Sequence, residues 1–241
     1  MATLQLSPAE FQSRADQLLD HVRKEQLSGI VLFDNFHILY YTGFAFIPTE
    51  RPMAFALNSA GERVLFVPRL EDEHAKAQAK VERVESYLEY PDNPHPMKKF
   101  AAVLAAMGVG AKISADNDGY PWILGYRGES LSSLTRAQIS NVNPFVEHQM
   151  MLKSDAELAL IAESVKWGNL AHRLLQKYTR VGANEVEVSE RAGSEATLAM
   201  IDALGSRYRS YSMWGRGASA GYRGQIGRNA SIPHSLTTTP R

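Results

Sequence analysis

The chain has 241 residues, 26 basic and 26 acidic side chains, 44% hydrophobic content and no cysteine. That is enough apolar material for one large domain, or for one domain and part of another, and it excludes a disulfide framework or a thiolate metal site. No apolar run nears the ~20 residues that a membrane-spanning helix needs. The N-terminus, MATLQLSPAEF, lacks the basic and apolar regions of a signal peptide, so a cytoplasmic protein without a membrane partner is expected.

Ser7-Pro8-Ala9-Glu10 fits a capping box, with Pro8 at the first helical position, where its missing N–H costs nothing. The helix it opens is predicted to reach about Leu27, with Gly29 as its stop. Ile30 to Phe33 is a short apolar run that suits a strand buried on both faces. Asn35 to Tyr41 predicts a short helix or turn ending at Gly43, and Met53 to Leu57 and Arg63 to Val67 flank a hairpin signal, Asn58-Ser59-Ala60-Gly61. Then come a helix over Glu71 to Ala79, a strand over Val81 to Tyr90 and a helix over Met97 to Met107. Lys112 to Ala115 reads as a strand, Trp122 to Tyr126 as a short helix, and Ile139 to Val146 closes the set. This alternation predicts one α/β domain with a mixed sheet over residues 1–148.

Ser154-Asp155-Ala156-Glu157 is a second capping box. Behind it Leu158, Ile161, Val165, Leu174, Leu175 and Tyr178 recur at roughly helical spacing. This long amphipathic helix is the predicted joint to a second, incomplete domain over 149–241. Gly182-Ala183-Asn184 breaks the chain, Asn184 caps another helix to about Ala203, and Gly205 ends it. From Ala203 to Arg241 there are six arginines, no lysine and no acidic residue. That run has little apolar periodicity, so residues after about 205 are expected to be poorly anchored.

Several segments together resemble the creatinase/prolidase/aminopeptidase P family of "pita-bread" metallohydrolases. Leu39-Tyr40-Tyr41-Thr42-Gly43-Phe44 looks like that family's "YLTGF" stretch, and Leu65-Phe66-Val67-Pro68 like the end of the hairpin beyond it. The most specific match is Met151 to Ile161, MLKSDAELALI, which is similar to the "R-x-x-K-S-x-x-E-I-x-x-I/L-R" entry to the catalytic domain. Gly182 to Glu187 resembles "G-x-T-E-x-E", and Ala230-Ser231-Ile232-Pro233-His234 resembles "A-x-x-P-H". The order of these segments carries the resemblance more than any one of them. Methionine stands at 150 and 151, where the family usually has arginine.

The resemblance implies a creatinase-type N-terminal domain followed by the first helices of an incomplete pita-bread α+β domain. It implies a hydrolase of short Xaa-Pro peptides, an aminopeptidase or dipeptidase, acting as a homodimer with a pair of divalent ions (Mn, Zn or Co). His234 would then stabilise the substrate or the tetrahedral intermediate. The family's metal ligands, two Asp, one His and two Glu, lie beyond the position that His234 matches. After residue 150 only Asp155 and Asp202 are aspartates, and both sit in predicted helices. No metal is therefore expected to bind this chain, and the chain as given is expected to be inactive. The histidines at 21, 37, 74, 95, 148, 172 and 234 include no His-x3-His pair.

Bland readings stand beside these. Tyr40, Tyr41 and Phe44 read first as core, His172 as a surface residue and Arg51 as a solvated side chain in a loop. A metal-free protein-binding module, creatine hydrolysis and sulfonium-compound lysis remain alternatives. Arg207, Arg209, Arg216, Arg223 and Arg228 interleave with Tyr208, Tyr211, Trp214 and Tyr222, a pattern that could bind single-stranded nucleic acid. Glycine-rich strands of an unfinished domain read the same way, and nucleic acid is not the expected partner.

Overall fold

Helix α1 (Pro8–Lys24) begins as the sequence predicts, the Ser7 hydroxyl accepting from the Glu10 N–H at 3.2 Å. It stops before Leu27. Gln26 adopts φ 53°, its N–H reaches the Arg23 carbonyl at 3.2 Å, and the Leu27 N–H reaches that of Val22 at 2.9 Å. That is a Schellman ending with glutamine in the position usually held by glycine. Gly29 serves instead at the start of strand β1 (Gly29–Leu32), where a Cβ would lie 2.5 Å from the Leu57 carbonyl oxygen. The computed structural model describes residues 4–89, 94–208 and 217–222, with 224, 227 and 231 singly.

Helix α2 (Asn35–Thr42) is capped by the Asp34 carboxylate and closed by Gly43 in the left-handed region. Strands β2 (Ala54–Asn58) and β3 (Arg63–Pro68) form the predicted hairpin. Helix α3 (Asp72–Gln78), strand β4 (Arg83–Tyr87), helix α4 (Pro96–Ala106) and strand β5 (Lys112–Ala115) come next, as the sequence predicts. The predicted helix at Trp122 to Tyr126 is absent. Leu124 (φ 46°) and Gly125 (φ 87°) are both left-handed there, so the segment is a turn within a long loop. Helix α5 (Leu131–Thr135) comes after it, opened by Ser130. The stretch Ile139 to Val146 divides in two: strand β6 (Gln138–Asn141) ends before Asn143-Pro144 begins helix α6 (Asn143–Met151). Proline without an N–H suits the first turn of a helix and not the inside of a strand.

The six strands make one sheet in the order β4-β3-β2-β1-β5-β6. β1 pairs parallel to β5, β5 to β6 and β3 to β4, and only β2 runs against its neighbours. Alternate residues of each strand enter opposite cores. Val31, Ala54, Ala56, Val64 and Phe66 pack under α4 and α5 with Phe100 and Leu104. Ile30, Leu32, Phe55, Leu57, Leu65 and Val67 pack under α1, α2, α3 and α6 with Leu18, Val22 and Ile38. Cover on both faces is why the central strands read as unbroken apolar runs. These elements belong to one compact unit, Leu6–Leu152.

The second unit contains helices α7 (Asp155–Tyr178) and α8 (Glu185–Leu204). Both halves of the Ser154 capping box form: the Glu157 N–H donates to the Ser154 hydroxyl at 3.1 Å, and the Ser154 N–H to the Glu157 carboxylate at 2.9 Å. Ala171, Leu174, Leu175 and Tyr178 pack against Val188, Ala192 and Ala196. Contrary to expectation, part of the run after residue 205 is anchored. Ala218, Ala220 and Tyr222 pack on this small core, and the Tyr222 N–H donates to the Ser189 hydroxyl at 2.8 Å. A Cβ on Gly217 would stand 2.4 Å from the Thr197 hydroxyl, so the segment lies against α8 more closely than a side chain would allow.

Candidate functional site

One reversed strand concentrates the connections. Because β2 alone opposes the rest, the loop entering it (residues 43–53) meets the loops leaving β1, β3, β4 and β5 at a single edge of the sheet. Ligand sites of open α/β sheets lie at the carboxyl ends of parallel strands, so this edge is the place to look.

Between β1 and β5 the edge holds a His–Asp pair. Asp116, the first residue after β5, accepts from the backbone N–H groups of Phe33 (2.9 Å) and Asp34 (2.9 Å), and from Nδ1 of His37 at 3.0 Å. Its side chain is 3% exposed. Burial disfavours the charged His37 ring, but the Asp116 hydrogen bond and the carboxylates of Asp34, Asp116 and Glu147 outweigh it, and His37 titrates above its ordinary value.

Between β3, β4 and the 116–130 loop the edge is aromatic. Tyr87 stacks on Phe66 with centroids 5.0 Å apart, and Tyr120 meets Tyr126 edge-on at 5.1 Å. The Tyr120 hydroxyl donates to the Thr49 carbonyl at 2.8 Å, whereas the buried hydroxyls of Tyr87 and Tyr126 meet no hydrogen-bond partner among the described residues. Burial pushes Tyr120 and Tyr126 up to about 12 and Tyr87 further still, so all three phenols stay protonated near neutrality. They can position a ligand; they cannot serve as bases. Arg51, read in the sequence as solvated, is instead paired with Glu89 at 2.6 Å and Glu50 at 2.9 Å.

Tyr40, Tyr41 and Phe44 are buried, as the bland reading has it. The Tyr41 hydroxyl donates to the Gln149 side-chain oxygen at 2.6 Å, and the Gln149 amide donates to the Arg14 carbonyl at 3.2 Å. Arg14 in turn donates to the Tyr40 carbonyl at 2.9 Å, with its guanidinium 4.1 Å from the Tyr40 ring centroid. This network ties α1, α2 and α6 together. His172 is exposed on α7. His234 lies outside the described residues, as do Arg209, Tyr211, Trp214, Arg216, Arg223 and Arg228 of the arginine-rich run. Tyr222 is committed, its hydroxyl 3.0 Å from that of Thr179, so it is not a free stacking platform.

Among the described residues no group of three or more His, Asp or Glu side chains could hold a metal ion. They do not fit a two-metal cage. Sequence reasoning passed over Asp116, although its place directly after a strand in this α/β pattern was a usable signal. Gln149 gave none.

A model of the creatinase/prolidase N-terminal domain matches residues 14–149, more than half of the chain. The chain belongs to the creatinase/prolidase family. Among curated relatives, an uncharacterised peptidase of Staphylococcus aureus (strain USA300) is 21% identical over 178 residues, which is 73% of this chain and 47% of that protein. The chain thus spans about half the length of the curated relatives it matches. Among solved structures, dipeptidase PepE from Mycobacterium ulcerans superposes with a TM-score of 0.63 at 19% identity, over 81% of this chain and 51% of that one. An Xaa-Pro dipeptidase from Bacillus anthracis gives 0.62 at 16% identity, over 77% of this chain and 48% of that one. At those identities the likeness establishes the creatinase-type fold. No helix among the described residues is long and apolar enough to cross a membrane.

Proposed function

We propose that this chain is the N-terminal domain and the opening of the catalytic domain (149–241) of a metal-dependent hydrolase, an Xaa-Pro aminopeptidase or dipeptidase that cleaves short proline-containing peptides. The observation that carries the reading is the extent of the fold likeness. It spans 81% of the chain and so reaches past the family-matched residues 14–149 into the two-helix unit. On this reading His234 contacts substrate or the tetrahedral intermediate, a divalent pair (Mn, Zn or Co) is held by residues outside this chain, and the protein works as a cytoplasmic homodimer. Carboxylate and imidazole ligands suit such ions, which would supply a metal-bound water of lowered pKa.

The test is to read the coding sequence past Arg241, express that downstream region fused to this chain, and assay Xaa-Pro dipeptides with Mn2+ and after chelation. Chelator-sensitive hydrolysis, lost in His234→Ala but with binding of Mn2+ retained, supports the proposal. A stop codon directly after Arg241, or cleavage of creatine or of a sulfonium compound in place of the dipeptide, would sink it.

A further inference from the structure

Residues 116–130 form a long irregular loop, a feature that in compact domains is usually functional. Its two limbs enclose a hollow of about 480 Å3, a size that suits a small organic molecule. Both limbs are held in place. Asp118 accepts from the Ser132 N–H at 2.7 Å and from the Ser132 hydroxyl at 2.6 Å, and its carbonyl accepts from the Leu131 N–H at 3.3 Å. Tyr120 is fixed to Thr49. A wall ordered in advance loses little freedom when a ligand arrives.

The wall joins negative charge to aromatic rings: Asp118 and Glu129 line the hollow together with Tyr120 and Trp122. Among the described residues the Asp118 carboxylate meets only the neutral Ser132, so no cation balances it. Glu129 pairs with Lys98 at 3.2 Å, but both side chains are more than half exposed, and such a pair contributes little. The Arg127 guanidinium lies 4.5 Å from the Trp122 ring centroid. Trp122 lines the hollow and Arg127 does not, so the ring remains open to a ligand there. An indole ring attracts organic cations, and two nearby carboxylates add to that attraction.

A further group lacks a partner behind this wall. The Tyr126 hydroxyl is buried and meets no hydrogen-bond partner among the described residues. It lies against Gly128, itself part of the wall, so closely that a Cβ there would stand 2.0 Å from its oxygen. The φ of Gly128 is not positive, so it is space and not backbone conformation that calls for glycine at this point. A buried hydroxyl without an acceptor calls for an explanation, and a phenol that stays protonated near neutrality has a proton to donate.

We infer that the hollow of the 116–130 loop is a binding site for a small organic cation that also carries a hydrogen-bond acceptor. The cation lies between Trp122 and the carboxylates of Asp118 and Glu129, and the acceptor, seated against Gly128, accepts from the Tyr126 hydroxyl. Every residue used belongs to the unit Leu6–Leu152, so the inference stands apart from the peptidase reading.

Calorimetric titration of the 241-residue chain tests it with three probes. Choline has both the cation and the hydroxyl, tetramethylammonium has the cation alone, and the uncharged carbon analogue of choline has the hydroxyl alone. Choline should bind, and its uncharged analogue at least about 10-fold more weakly. Trp122→Ala and Glu129→Gln, both at exposed positions, should each weaken choline about 3-fold or more. Tyr126→Phe should lower choline to the affinity of tetramethylammonium and leave tetramethylammonium unchanged, which also shows that this variant keeps its fold. Absence of choline binding to the wild type, equal binding of the uncharged analogue, or affinities indifferent to the three substitutions would each overturn the inference.

Discussion

Asp116 is the residue on which the sheet's carboxyl edge turns. A single buried carboxylate accepts from two backbone N–H groups just past β1 and from the first turn of α2, and so ties the ends of two parallel strands to the helix that follows β1. Its partner makes the tie sensitive to pH. His37 has a raised folded-state value, so the folded chain holds this proton more tightly than the unfolded one. The resulting stabilisation is fully present below the unfolded histidine value of ~6.5 and fades as pH rises through the higher folded value. Urea unfolding from pH 5.5 to 8.5 should show this decline in wild type, and His37→Gln should be less stable at the acid end and flatter across the range. A variant whose curve parallels the wild type would show that the pair does not contribute. Gln149 works without charge: its side chain both accepts from Tyr41 and donates to Arg14, so each buried partner has its hydrogen bond.

At the scale of elements, local chemistry set what could be read. The starts of α1, α7 and α8 were legible because Ser7, Ser154 and Asn184 each leave one signature, a short polar side chain turned back onto the first N–H groups. Serine 154 should be the most consequential of these, since its box satisfies two donors at once. Ser154→Ala should lower stability by ~1 kcal/mol and fray the first turn of α7, whereas Ser154→Gly should cost a few tenths. Amide exchange at Glu157 reports the fraying, and equal protection in both variants would argue against the cap. Helix ends were less legible. Gln26 and Leu124 both enter the left-handed region without being glycine, so the residue type that usually marks such a turn is missing at both positions. Distance along the chain hid Asp116 and Gln149. Their partners stand 79 and 108 residues away in the chain, and only the closed sheet brings them within reach.

On the scale of the whole molecule, the unit Leu6–Leu152 is self-sufficient, with helices of its own over both faces of its sheet. Expressed alone it should unfold in one cooperative transition and keep the His37 pH dependence. A molten fragment with no sharp transition would mean that its stability is drawn from the remainder. The reversed β2 also divides the sheet's two rims. At the rim opposite the candidate site the chain turns tightly: Asn58 holds the Ala60 and Glu62 N–H groups, and Gly29 leaves no room for a side chain. A residue inserted into that turn slides β2 against β3 and exchanges inward for outward side chains along the strand. Loops at the site rim carry no such penalty. Relatives can therefore diverge in what they recognise along one border while the other keeps the strand registry, and a transplanted recognition loop belongs between Asp116 and Ser130, never between Asn58 and Arg63.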